Sequence, residues 1–125
     1  MRKGSLAASA VALLAAPNSE AAAAEDKAEV VFHVFGFQWK AGTSEAQKEK
    51  AALAITALQG QIPGLLQTHV GPNISPRGRG YTFMGIMQFK DKEALERYPQ
   101  HPAHLALLAW LLPLIDAIEL DLCAK

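Results

Sequence analysis

Two segments of this chain read as strands, and neither alternates apolar with polar residues. Residues 30–39 (VVFHVFGFQW) and 81–89 (YTFMGIMQF) are rich in β-branched and aromatic residues and short for helices. In the first, Val30, Phe32 and Val34 point one way and Val31, His33, Phe35, Phe37 and Trp39 the other. In the second, Tyr81, Phe83, Met87 and Phe89 oppose Met84 and Ile86. A sheet built from them has two apolar faces. A domain of roughly 100 residues buries only about two-thirds of its surface and cannot hide both faces by itself. Helices are expected on one face and a second copy of the chain on the other, since a two-fold pair of identical sheets is the simplest closed solution. The alternative is a monomer whose open face takes a different protein.

The rest of the chain supplies the helices. Ser44 with Gln47 three residues later matches a capping box, and Ala51, Ala54, Ile55, Leu58 and Ile62 follow at helical spacing until Gly60 and the Pro63-Gly64 pair intervene. Residues 65–70 read as a second strand, and a turn-rich stretch over 73–80 leads into the third. A short helix over 91–98 with Asp91 as its cap, a second helical piece over 101–112 and a last strand over 117–123 complete the order β-α-β-β-α-β. This is an α+β, ferredoxin-like arrangement. Pro113 and Asp116 end the leucine-rich stretch from Leu105 before it could span a bilayer, so that stretch reads as packing surface.

Residues 1–24 differ in composition. Arg2 and Lys3 precede an Ala- and Leu-rich stretch over 6–16, and Ala22-Ala23-Ala24 offers small residues for cleavage. The pattern predicts a signal peptide over 1–24, a short linker over 25–29 and one domain over 30–125, with periplasmic or secreted location. An Ala-rich extension on a cytoplasmic chain is the alternative. The apolar stretch is well short of the roughly 20 residues of a spanning helix, so no permanent membrane anchor is expected. The single Cys, Cys123, is expected to be buried and inert rather than paired between chains. Twelve Lys and Arg balance 12 Asp and Glu, which gives no basic face for nucleic acid.

The segments FHVFGFQWKAGTSEAQ, QIPGL, GPNISPRG followed by GYT, FKDKEALERY and HPAH together resemble the stress-responsive A/B barrel (Dabb) domain family, over roughly residues 30 to 123. The resemblance implies a dimeric α+β barrel in which two sheets close face to face. Its members include stress proteins, bacterial proteins of unassigned activity and a plant polyketide cyclase that works without a cofactor. Carried over from that cyclase, the proposed donor and base fall on Tyr98 and His104, and a pocket histidine falls on His33. The family's frequent GYTH motif is here Gly80-Tyr81-Thr82-Phe83, so an apolar ring stands where a polar one is common.

His104 can be argued independently of that resemblance. Pro102 suits the first position of a helix, which makes His101 the cap and places His104 in the first turn. The partial positive charge there disfavours the imidazolium and leaves a neutral base, with Tyr98 near enough to hold a substrate carbonyl. The competing reading makes both residues structural. The expected pocket is lined by His33, Phe35, Phe83, Tyr98 and His104 and takes a small apolar or aromatic molecule. A zinc site from His33, His101 and His104 lacks an adjacent carboxylate or thiolate in the sequence, so no metal and no cofactor is expected. Arg77 and Arg79 read as solvated loop residues, His69 as a surface or rim residue, and Trp39 and Trp110 as core or interface aromatics. Three functions follow: a ligand-binding barrel, a cofactor-free cyclase, isomerase or monooxygenase, or a non-catalytic structural stress protein.

Overall fold

The computed structural model describes residues 29–125, and the compact unit runs from Val30 to Ala124. The signal peptide reading and the linker up to residue 28 lie outside the described residues. The element order is β1 (Val30–Trp39), α1 (Glu45–Thr56), β2 (Leu65–Pro72), β3 (Phe83–Phe89), α2 (Lys92–Arg97), α3 (Pro102–Leu111) and β4 (Ile115–Ala124). Single 3-10 turns, Tyr98–Gln100 and Leu112–Leu114, follow α2 and α3. The four strands form one antiparallel sheet in the order β2-β3-β1-β4. The expected ferredoxin-like α+β fold is the observed one.

Local chemistry explains the helix starts. The Ser44 side chain accepts from the Gln47 N–H at 3.1 Å while the Gln47 amide oxygen accepts from the Ser44 N–H at 2.8 Å, closing the capping box. Asp91 Oδ1 accepts from the Ala94 N–H at 2.8 Å at the start of α2. Helix α1 stops at Thr56, earlier than the apolar spacing predicts, but Leu58 and Ile62 stay buried in the turns beyond it.

The helices cover the face that carries Val31, Phe35, Phe37, Phe83, Met87 and Phe89, which pack against Ala51, Ile55, Leu107 and Leu111. The other face is uncovered. Its rows are Leu122–Phe32–Gln88, Leu120–Val34–Ile86–His69 and Ile118–Gly36–Met84. Leu120 is 62% and Leu122 55% exposed. Tyr81 is corrected to this open side: a Cβ on Gly36 would meet Ile118 and the Tyr81 ring, so the glycine leaves room for both. Cys123 is corrected too, being exposed on the edge strand β4 rather than buried. No helix among the described residues is long and apolar enough to cross a membrane.

Gly85 faces Phe35 across the β1–β3 pair, and the Phe35 ring lies over it where a side chain would stand. Replacing Gly85 by Ala drives a methyl into that ring. We expect Gly85→Ala to destabilise the fold by about 1–3 kcal/mol, read as a lower midpoint in urea unfolding with an unchanged slope.

Candidate functional site

The site begins on β1. Among the described residues, His33 and Tyr98 are the two buried side chains that carry a hydrogen-bonding nitrogen or oxygen, and the alternation of β1 holds His33 on the helix-covered face. A buried imidazole needs a partner. Directly opposite in register on β4 stands Asp121, whose Oδ1 lies 2.6 Å from His33 Nδ1. A carboxylate only accepts, so Nδ1 carries the proton and Nε2 of the neutral ring keeps its lone pair. The Asp121 side chain is half exposed, so its charge stays hydrated while it orients the buried ring.

Tyr98 and His104 come from the crossover after β3. Tyr98 ends α2 and opens the 3-10 turn, with its ring buried against His33 (5.8 Å between centroids), Phe89 (5.4 Å) and His104 (4.3 Å). His101 caps α3, as expected, and its Nδ1 accepts from the Ala103 N–H at 3.0 Å. His104 follows in the first turn, with Nδ1 3.1 Å from the Pro99 carbonyl oxygen. That carbonyl also only accepts, so His104 donates from Nδ1 and again leaves Nε2 as the basic nitrogen. Burial first, and the Glu119 carboxylate second, push the Tyr98 phenol well above its ordinary range. Tyr98 therefore stays a proton donor throughout the neutral range.

His33, Tyr98 and His104 border a cleft of about 560 Å³, with Val31, Leu95, Pro99 and Leu108 as its apolar wall and Glu119, Asp121 and Cys123 on the β4 side. A narrow inner chamber of about 50 Å³ continues from it between sheet and helices, reaching Phe35, Phe37 and Ile55. His33, Tyr98 and His104 border both spaces, and Phe35 borders the inner one. Phe83 is a correction. It stacks on Phe37 at 5.6 Å and packs on Trp39 at 5.7 Å and lines neither space, because its place on β3 is toward the far end of the sheet. Glu119 and Asp121 were missed by residue reading. The alternation of residues 117–123, with Ala, Glu, Asp and Cys at odd positions and Ile and Leu at even ones, is the signal that could have found them. Among the described residues no group of three His, Cys, Asp or Glu side chains is placed to hold a metal ion.

A family model described as Stress responsive A/B Barrel Domain matches residues 31–122. No curated protein matches the chain. Among solved structures, a protein of Arabidopsis thaliana is 29% identical, covering 76% of this chain and 93% of its own, with a TM-score of 0.66. A dimeric ferredoxin-like protein of unknown function from Thermobifida fusca is 23% identical over 79% of this chain and 93% of its own, with a TM-score of 0.68. Hydroxynitrile lyase from Passiflora edulis shares the fold at 18% identity, covering 77% of this chain and 94% of its own, with a TM-score of 0.70.

Burial of the Tyr98 phenol links folding to pH. The folded state keeps the phenol protonated where the unfolded chain releases it, so stability is complete below pH 10.0, the ordinary phenol value, and falls as pH rises above it. Thermal unfolding followed by circular dichroism should show this fall, and Tyr98→Phe should flatten it.

Proposed function

The chain belongs to the stress-responsive A/B barrel family, and on that premise we propose that it acts as an exported homodimer that takes a small apolar or aromatic molecule into the cleft beside Tyr98. The observation that carries the ligand reading is the convergence of His33, Tyr98 and His104 on one cleft of about 560 Å³ with an apolar wall. Ligand sites are concave, mostly apolar and fitted with a few polar groups that fix orientation. A purely structural role gives no reason to keep that space open. The dimer reading rests on the open face, where Ile86, Ile118, Leu120 and Leu122 are exposed side by side. Contiguous apolar surface of this kind is usually an interface, and the Thermobifida fusca relative is described as dimeric.

A second reading is favoured by the tautomers. With Nδ1 engaged by the Pro99 carbonyl, His104 presents Nε2 as a base, and the protonated Tyr98 is a hydrogen-bond donor. The pair suits a cofactor-free cyclase, isomerase or monooxygenase. His104 would take a proton from a carbon next to a carbonyl while Tyr98 donates to the oxygen that gains charge. The proton held on His104 Nε2 is returned from that same nitrogen at the new carbon, while His33, oriented by Asp121, offers a second acceptor nitrogen to the same cleft.

Three measurements test these readings. Sedimentation should give twice the chain mass for the wild type and the single mass for Leu120→Lys, and a monomeric wild type would overturn the dimer. In a screen of carbonyl and phenolic compounds, a catalytic site requires His104→Ala and Tyr98→Phe to lower turnover by about 10²–10⁴-fold with the fold intact. Binding that persists without turnover in the wild type leaves the ligand-binding reading in place. Export predicts that protein recovered from the host envelope lacks residues 1–24 by intact mass.

A further inference from the structure

On the other side of Tyr98 lies a second cleft of about 550 Å³, bordered by Ile62, Pro63, Lys90, Arg97, Gln100 and His101 among others. Its floor is apolar, made of the buried Ile62, Ala94 and Tyr98. Gly64 shapes the neighbouring loop: it has positive φ, and a Cβ there would stand 2.6 Å from that of Ala94 and 3.3 Å from Lys90 Cγ, so the chain runs tight against α2 and the Lys90 stem. Among the described residues the rim carries two cations, a histidine and a glutamine. His101 Nδ1 is committed as acceptor of the Ala103 N–H, so the neutral ring must carry its proton on Nε2. Lys90 and Arg97 add an ammonium and a guanidinium, and Gln100 adds an amide. Among the described residues no carboxylate lines this cleft. Glu93 pairs with Arg97 at 3.2 Å, but both side chains are largely exposed, and such pairs exchange readily. The first cleft is the opposite in charge, with Glu96, Glu119 and Asp121 against Lys92.

We propose that this second cleft binds a small monoanion with an apolar body, such as an aromatic or aliphatic carboxylate. The body lies on Ile62, Ala94 and the outer side of Tyr98, and the carboxylate is held by Arg97 and Lys90 with His101 as a neutral donor. The two clefts share Tyr98, but the polar groups that hold the carboxylate, Lys90, Arg97, Gln100 and His101, do not line the first.

The test is a titration of the ¹⁵N-labelled full chain with benzoate, with its neutral isostere benzamide and with inorganic phosphate. Benzoate should give saturating shifts at the Ala94, Arg97, Gln100 and His101 amides, weaker in high salt, and benzamide should not. The exposed-site double variant K90Q/R97Q should raise the benzoate Kd by at least about tenfold. Equal shifts with benzamide, shifts confined to His33 and Glu119, or an unchanged Kd in K90Q/R97Q would overturn the proposal. Phosphate binding tighter than benzoate would overturn the role given to the apolar floor.

Discussion

β1 is hydrogen-bonded on both sides, to β3 and to β4, and both of its faces are largely apolar. Its register sorts the whole molecule. Val31, Phe35 and Phe37 go under the helices, and Phe32 and Val34 go to the open face beside Leu122, Leu120 and Ile86. Because side chains alternate with a period of two, a slip of one residue would exchange these sets. The same slip would carry His33 out from under Tyr98 and away from Asp121. Core, open face and candidate site therefore share one determinant.

β4 does for the site what β1 does for the core. As an edge strand it has a neighbour on one side only, and the helices do not roof its outer half, so Glu119 and Asp121 meet water on the cleft side. That placement resolves a difficulty of buried ionisable pairs, in which lost hydration can exceed the attraction gained. Here only the imidazole is buried, while the carboxylate that orients it remains hydrated. The opposite side of the same strand carries Ile118, Leu120 and Leu122, so one edge strand serves the cleft with Glu119 and Asp121 and the open face with Ile118 and Leu120, Leu122 also reaching the cleft at the strand's edge.

The order of elements was legible because it is written in local signals: the capping box at Ser44, the Asp91 cap, and Pro102 after His101. The double-sided apolar strands also gave the open face correctly. Tyr98, His104 and His33 were read as one pocket, but the carboxylate that orients His33 was not, because it stands on a strand 88 positions away. Asp121 and Glu119 went unnoticed for that reason: a carboxylate in a strand at the chain's end looks like ordinary surface until register sets it opposite a histidine. Phe83 was misplaced because sequence tells which face a strand residue takes, while its position along the strand sets which cavity it meets. Cys123 shows the converse error, since the burial usual for cysteine yields to its place on an uncovered edge.

Tyr98 is the wall between two clefts of opposite charge, so whether they communicate depends on whether its ring has a second arrangement. A ligand shifts an equilibrium only if it distinguishes the two states. The surroundings here leave little room for a second state. Pro99 fixes the backbone angle immediately after Tyr98, the His101 N–H donates to the Tyr98 carbonyl at 3.0 Å, and His104 is tied to the Pro99 carbonyl. The ring itself is wedged among His33, Phe89 and His104. A turn held this firmly moves Tyr98 and His104 together or not at all. Its rigidity keeps the Tyr98 hydroxyl and the His104 ring in one relative geometry, so a ligand in either cleft meets the same wall.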